Sequence, residues 1–375
     1  MSARAAWAAH CLSLLLLAGC ADDRDTGEQP GTGAGENVLN VYNWADYVGA
    51  TTIADFEART GIQVAYDTYD SNEILETKLL TGNTGYDVVV PSGNFLERQI
   101  RTGAFLKLDK SKLPNLTHMD PEIMRFVADH DPGNQYGIDY MWGTTGIGYN
   151  PDMVEKALGT REITSWAALF DPAIASKLAT CGISMLDAPE DVLESARIYL
   201  DIDPNSEREE DLAAAEAVLT AVRPHVRYFH SSQHVNDLAS GEICVSLSWS
   251  GLVLQARDRG AAASPAVTIN YVIPREGASL WFDMIAIPAD APHPDNAYAF
   301  VNFLMDPKVI ASISNEIGYA NGNAAATPLL NAVLTNDPGV YPTDEMRAKL
   351  HRSKLKSQQF SRIQNRAWTR VKTGQ

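Results

Sequence analysis

Apolar and polar residues alternate in two different rhythms between Val38 and Ser92. They predict a strand (Val38 to Asn43), a helix (Thr51 to Thr60), a strand (Ile62 to Tyr69), a helix (Asn72 to Leu80) and a strand (Tyr86 to Pro91). Runs of Val, Ile and Tyr separated by helices with one apolar face describe a βαβαβ unit, which builds a parallel sheet covered by helices. Glu57, Glu73 and Glu76 fall on the polar sides of those helices and read as solvated. Asp70-Ser71-Asn72 supplies a cap for the second helix. After Pro91-Ser92-Gly93-Asn94, residues Phe95 to Ile100 read as another helix.

A second α/β region is predicted to begin after Tyr140-Met141-Trp142-Gly143-Thr144-Thr145-Gly146. Its strands include Gly182 to Leu186 and Ile243 to Trp249, with helices near Asp191 to Leu200 and Leu212 to Val222. Beyond Gly251 the pattern gives a strand pair, Thr268 to Ile273 and Leu280 to Ile287, then helical stretches over Asn296 to Leu304 and Lys308 to Glu316. Roughly 340 residues exceed one typical core, so two lobes joined by several crossings are expected.

The N-terminus changes the picture of where the chain works. Arg4, an apolar stretch ending in Leu14-Leu15-Leu16-Leu17, and small residues before Cys20 read as an export signal over 1–19. Leu17-Ala18-Gly19-Cys20 resembles a bacterial lipobox, which makes Cys20 the expected lipidation site. Residues 20–36 are polar and Gly-rich, as expected of a flexible tether. The whole chain carries a net charge of −17, and losing 1–19 removes one positive charge and no acid. Such a surface repels a phosphate backbone and concentrates cations, so nucleic acid is excluded as a partner. Of the four cysteines, Cys11 leaves with the signal and Cys20 takes the lipid, so Cys181 and Cys244 remain. They form either a disulfide, suited to an oxidising compartment, or two buried thiols. Closing that loop of about 60 residues would contribute about 4 kcal/mol in the chain-entropy picture.

Candidate chemistry concentrates at Asn43-Trp44-Ala45-Asp46-Tyr47, where the first strand gives way to a helix. Two readings fit: core aromatics with Asp46 as a helix N-cap, or an ammonium site built from aromatic faces and a carboxylate at a strand end. His225, His230 and His234 form the densest histidine cluster. No carboxylate or Cys stands at ligand spacing, so no metal is expected there. Ser231-Ser232 are instead expected to cap a helix over Gln233 to Leu238. No Gly-x-Ser-x-Gly elbow or phosphate-binding loop occurs, so neither a catalytic group nor a cofactor is expected.

Several segments carry a resemblance: Tyr42-Asn43-Trp44 with Asp46-Tyr47, Asp70-Ser71-Asn72-Glu73, Asp87-Val88-Val89-Val90-Pro91-Ser92, Phe95-Leu96-Glu97-Arg98-Gln99, Leu186-Asp187-Ala188-Pro189-Glu190, Arg227-Tyr228-Phe229-His230-Ser231-Ser232-Gln233 and Tyr319-Ala320-Asn321. From about Val38 to Lys372 the chain resembles the periplasmic putrescine- and spermidine-binding proteins of bacterial ABC transporters, most closely the putrescine-binding branch. The resemblance implies an α/β, two-lobed, type II periplasmic binding protein fold, each lobe a mostly parallel sheet flanked by helices, hinged as a clamshell. Lobe 1 would take 37–143 and 252–320, and lobe 2 would take 144–251 and 321–375. It implies a monomer that captures a small cationic amine and hands it to an ABC permease, touching the membrane only through its lipid. The ligand set carried over is Trp44, Asp46, Tyr47, Ser92, Asp191, Trp249, Trp281, Asp283 and Tyr319, and the resemblance also implies a Cys181–Cys244 disulfide.

Three positions depart from that pattern. Leu252 stands where the putrescine-binding branch has an amine-contacting Asp, Asp191 replaces a longer Glu, and Ala45 replaces Ser or Thr. The spermidine-binding branch carries an acid at the place of Ala188. One end of a dication is therefore expected to lack its carboxylate. The alternatives are a monocationic amine as ligand, or a sensor that reports occupancy to a receptor.

Overall fold

A computed structural model of the chain describes residues 37–374. The expected signal segment, lipid-bearing Cys20 and tether lie outside the described residues. Ten strands occur among the described residues: β1 (Val38–Trp44), β2 (Gln63–Tyr69), β3 (Val88–Val89), β4 (Gly137–Tyr149), β5 (Ile183–Met185), β6 (Val226–Phe229), β7 (Val245–Trp249), β8 (Asn270–Val272), β9 (Ala278–Ala286) and β10 (Leu350–Arg352). Their order is β2-β1-β3-β9-β4-β7-β5-β6, with β10 beside β9 and β8 beside β4.

The opening βαβαβ unit forms as the periodicity predicts, with β1 parallel to both β2 and β3. Helices Thr52–Thr60 and Asn72–Thr81 cover it, and Ser71 caps the second by accepting the Ile74 N–H at 3.3 Å. The third strand is shorter than expected because Asp87 binds the chain with its side chain. Its carboxylate accepts the Asn40 and His293 backbone N–H groups at 2.8 and 2.6 Å, and Pro91 has no N–H to extend the ladder.

β4 is the element that periodicity did not reveal. All thirteen of its residues are buried, so it shows no polar alternation, and four glycines dilute its strand signal. It pairs antiparallel with β9 from Gly137 to Thr144 and with β7 from Thr145 to Tyr149. One strand thus runs continuously through the segment where the second region was expected to start. The anticipated pair Thr268 to Ile273 and Leu280 to Ile287 also needs correcting: β8 and β9 both bond to β4, at different stretches, and not to each other. The sheet is consequently mixed, parallel at its flanks and antiparallel around β4 and β9.

Apolar side chains of the described residues collect in two clusters. One holds the β1–β3 unit, β9 and helices Pro294–Leu304 and Pro307–Ile317; the other holds β5, helices Pro189–Tyr199 and Glu209–Val222, and the apolar face of the last helix, Gln358–Thr373. Trp249 packs against both. Cys181 and Cys244 are joined as a disulfide across 63 residues, which ties helix Pro172–Leu178 to the start of β7.

Candidate ligand-binding site

Where β1, β3, β7 and β9 end or bend, their side chains enclose a cavity of about 970 Å³, open mouth included. Asp283 on β9, only 5% exposed, is one of its buried charged groups. Tyr47 donates its hydroxyl to Asp283 Oδ2 at 2.8 Å and Ser92 donates to Oδ1 at 2.6 Å. Both donors are held in turn. Ser92 exchanges hydrogen bonds with the Asn72 amide, at 3.0 Å each, and the Tyr140 hydroxyl donates to the Tyr47 carbonyl at 2.7 Å. Burial pushes the Asp283 carboxyl up to about 7; the Ser92 and Tyr47 hydrogen bonds pull it down and the charge of Asp191 raises it.

Aromatic rings line the cavity with this carboxylate, among them Trp44, Tyr47, Trp249, Trp281 and Tyr319. Trp44 is fixed by its indole N–H donating to the Val90 carbonyl at 2.8 Å, and it meets Trp249 edge-on with centroids 5.7 Å apart. Tyr319 stands edge-on to both Tyr47 and Trp281, at 5.0 and 5.6 Å. These rings need room that only glycine leaves: a Cβ on Gly251 would lie 2.3 Å from the Tyr319 ring, and one on Gly143 would lie 2.7 Å from the Trp281 ring. The Trp281 indole N–H is buried and has no partner. A buried carboxylate among aromatic faces is a site for a desolvated cation, which gains both a charge-assisted hydrogen bond and cation–π attraction.

Across the cavity, Asp191 lies in the first turn of helix Pro189–Tyr199. Its Oδ1 accepts Thr145 Oγ1 at 2.6 Å and the Trp249 indole N–H at 2.9 Å. Burial raises its carboxyl to about 6, against those two hydrogen bonds. Leu252 does line the cavity, buried, with its N–H donating to the Tyr319 hydroxyl at 3.2 Å. Asp46 lines it too, yet it caps no helix: the N-cap is Thr51. Asp46 sits at φ 54°, and its half-exposed carboxylate lies 3.6 Å from the Arg259 guanidinium, so its charge is shared with that cation.

All nine residues singled out from the sequence, and Leu252, therefore line one cavity. Sequence reading missed a further acidic wall. Glu73, expected to be solvated, faces the cavity, as do Asn94, Glu190 and Glu194. Glu76 and Glu57 are not free either: Glu76 is clamped by Arg98 at 2.6 and 2.9 Å, and Glu57 accepts the Val64 N–H at 2.8 Å. The signal for Glu73 and Glu190 lay in the segments Asp70 to Glu73 and Leu186 to Glu190, which carried the resemblance without a role for these two side chains.

His230 and His234 are structural. His234 is fully buried against Ser248 Oγ at 2.6 Å, and burial holds its imidazole down at about 4. His230 Nδ1, and not Ser231 or Ser232, accepts the N–H groups of Ser232 and Gln233 at 3.1 Å each, where helix His234–Ser240 begins.

The two raised carboxyls set a pH dependence. Asp283 at about 7 and Asp191 at about 6 lie above the ordinary 3.8, so the folded, empty protein holds protons that the unfolded chain has released. The stability these groups contribute is fully present below about pH 4 and is lost as pH rises through 6 to 7. A cation needs the ionised forms. Affinity for an amine is thus expected to rise between pH 5.5 and 8, by up to about tenfold per unit below the Asp283 pKa, then to level off. Calorimetry at pH 6 in buffers of different ionisation enthalpy should register proton release on binding; a flat affinity profile would contradict the buried-acid site.

Comparison with known proteins agrees with this geometry. Residues 51–343 match the family described as Bacterial extracellular solute-binding protein. The putrescine-binding periplasmic protein PotF of Escherichia coli is 49% identical over 343 residues, covering 91% of this chain and 93% of the relative. The putrescine-binding periplasmic protein SpuD of Pseudomonas aeruginosa is 48% identical, again over 91% and 93%. Among solved structures, the spermidine/putrescine ABC transporter substrate-binding protein PotD of Streptococcus pneumoniae superposes with a TM-score of 0.73 at 27% identity, covering 90% of this chain and 99% of that one.

Proposed function

Because the chain belongs to the bacterial extracellular solute-binding protein family, we propose that it captures a polyamine of the putrescine class and delivers it to the permease of an ABC transporter, with no bond made or broken. The observation that carries this reading is Asp283, buried and oriented by Tyr47 and Ser92 inside a ring of aromatic side chains. Trp44, Tyr47, Trp249, Trp281 and Tyr319 would cover the methylene chain, burying apolar surface at roughly 25 cal/mol per Å², while Asp283 and Asp191 take ammonium groups. Asp46 would act at the rim. The protein works as a monomer outside the cytoplasm, held to a membrane by the lipid on Cys20.

In this reading residues 37–143 with 252–320 form one lobe and 144–251 with 321–375 the other, and ligand draws them together. Trp44, Tyr47 and Ser92 then belong to the first lobe, and Asp191 and Trp249 to the second. Putrescine should bind in calorimetry and compact the protein in solution scattering. Unchanged dimensions at saturating putrescine would rule out closure. A monocationic ligand is the second reading, favoured by the apolar Leu252 in the lining; butylamine binding as tightly as putrescine would select it.

A further inference from the structure

Asp191 reaches the cavity from the first turn of helix Pro189–Tyr199, and that turn carries no lock of its own. Its N-cap position is Ala188, which offers no side-chain acceptor to the first N–H groups of the helix. Asp187, one residue earlier, has the chemistry of a cap but is turned away to the last helix, Gln358–Thr373. Its Oδ1 accepts the Trp368 indole N–H at 2.9 Å and the Lys372 ammonium at 2.8 Å, and its Oδ2 accepts Lys372 again at 2.9 Å.

The far end of this clamp is fixed. Trp368 is 4% exposed and stands edge-on to Phe229 of β6 with centroids 5.0 Å apart, and the Lys372 carbonyl accepts the Arg223 guanidinium at 3.0 Å. The same last helix grips Pro189–Tyr199 further along. There the buried Arg197 donates to Gln364 Oε1 at 3.0 Å and lies 5.6 Å from the centroid of the Phe360 ring. As a stability device the Asp187–Lys372 pair is weak, because the two side chains keep 41% and 35% of their surface in water. Its place in the chain matters more: it sits between β5 and the turn bearing Asp191, whose Oδ1 must meet both Thr145 and Trp249. A charge-assisted contact to a ligand depends on that placement to a fraction of an ångström.

We propose that Asp187, Trp368 and Lys372 are positioning residues for ligand binding: by clamping the turn between β5 and helix Pro189–Tyr199, the last helix sets the Asp191 carboxylate where an ammonium meets it. This rests on the reading above in which Asp191 takes one end of a polyamine. None of the three lines the cavity, so their effect on a ligand passes through Asp191.

Asp187→Asn keeps an acceptor for Trp368 and loses the charge pair, and Lys372→Met removes the cation; calorimetry with putrescine tests both. Each should weaken binding about fivefold or more in the wild-type background and less than about twofold in an Asp191→Asn background, the non-additivity of residues that act through one another. Lys372→Arg should bind as wild type does. The Trp249 indole N–H donates to Asp191, so its resonance, assigned by its loss in Trp249→Phe, reports the same displacement without ligand. It should shift in Asp187→Asn and Lys372→Met and hold in Lys372→Arg, a pattern that a merely structural role would not produce. Equal losses in both backgrounds, or an unmoved Trp249 resonance, would overturn the positioning role and leave the polyamine reading standing. If wild type binds no putrescine, that broader reading fails, while the Trp249 resonance still decides the clamp.

Discussion

Asp283→Asn is expected to weaken binding of every amine by a hundredfold or more. The carboxylate is buried in the cavity lining, and Tyr47 and Ser92 already occupy one position on each of its oxygens. An ammonium arriving there exchanges its water shell for Asp283 and for ring faces, each face worth only about 0.5–2 kcal/mol. Removing the charge leaves that ammonium buried and unpaired, which costs about 3–5 kcal/mol, and every 1.4 kcal/mol is tenfold in affinity. The empty protein should behave in the opposite way. Since burial holds the Asp283 carboxyl up at about 7, ionising it at pH 8 works against folding, so Asp283→Asn should melt no lower than wild type without ligand. Calorimetry and thermal unfolding on the same preparation separate the two effects. Affinity within tenfold of wild type would mean that another acid receives the first ammonium.

Local patterning disclosed the elements whose two faces differ. β1, β2 and their helices each have one side on the core, so polar and apolar residues alternate with the right period and end at Ser71 or Gly61. It failed at β4, where burial on both faces erases alternation and where glycines are required by the Trp281 ring and by other close neighbours. It failed for a different reason at the acidic wall. Glu73 sits on the polar side of its helix, as its spacing says, and only the tertiary arrangement turns that side towards a cavity instead of water. The aromatic and acid residues of the site were legible because Trp and Asp at strand ends are chemically conspicuous. Their convergence was not, since Tyr47 and Asp283 are 236 positions apart. A histidine that holds the turn before a helix, as His230 does, leaves no distinct sequence mark at all.

Leu252→Asp is expected to tighten putrescine binding by about tenfold or more while leaving butylamine nearly unchanged. Leu252 lies in the first turn of helix Ser250–Ala262 and lines the cavity with 6% of its surface exposed. A carboxylate there is favoured by the helix N-terminus, by about 0.3–1 kcal/mol, and it would offer a second ammonium a charge-assisted bond worth about 1.5–3 kcal/mol. The exchange has a cost in the empty protein: an apolar side chain worth about 1.5–3 kcal/mol of burial is lost, and one more acid joins a lining that already includes Asp191, Asp283, Glu190 and Glu73. Unliganded Leu252→Asp should therefore unfold at a lower temperature than wild type, and saturating putrescine should raise its melting point by more than it raises that of wild type. Butylamine has no second charge to reward, which makes it the control for non-specific electrostatics. If putrescine affinity does not change and wild type already binds it tightly, then Asp191, whose Oδ1 is held by Thr145 and Trp249, is sufficient for the second ammonium and the leucine at 252 costs the diamine nothing.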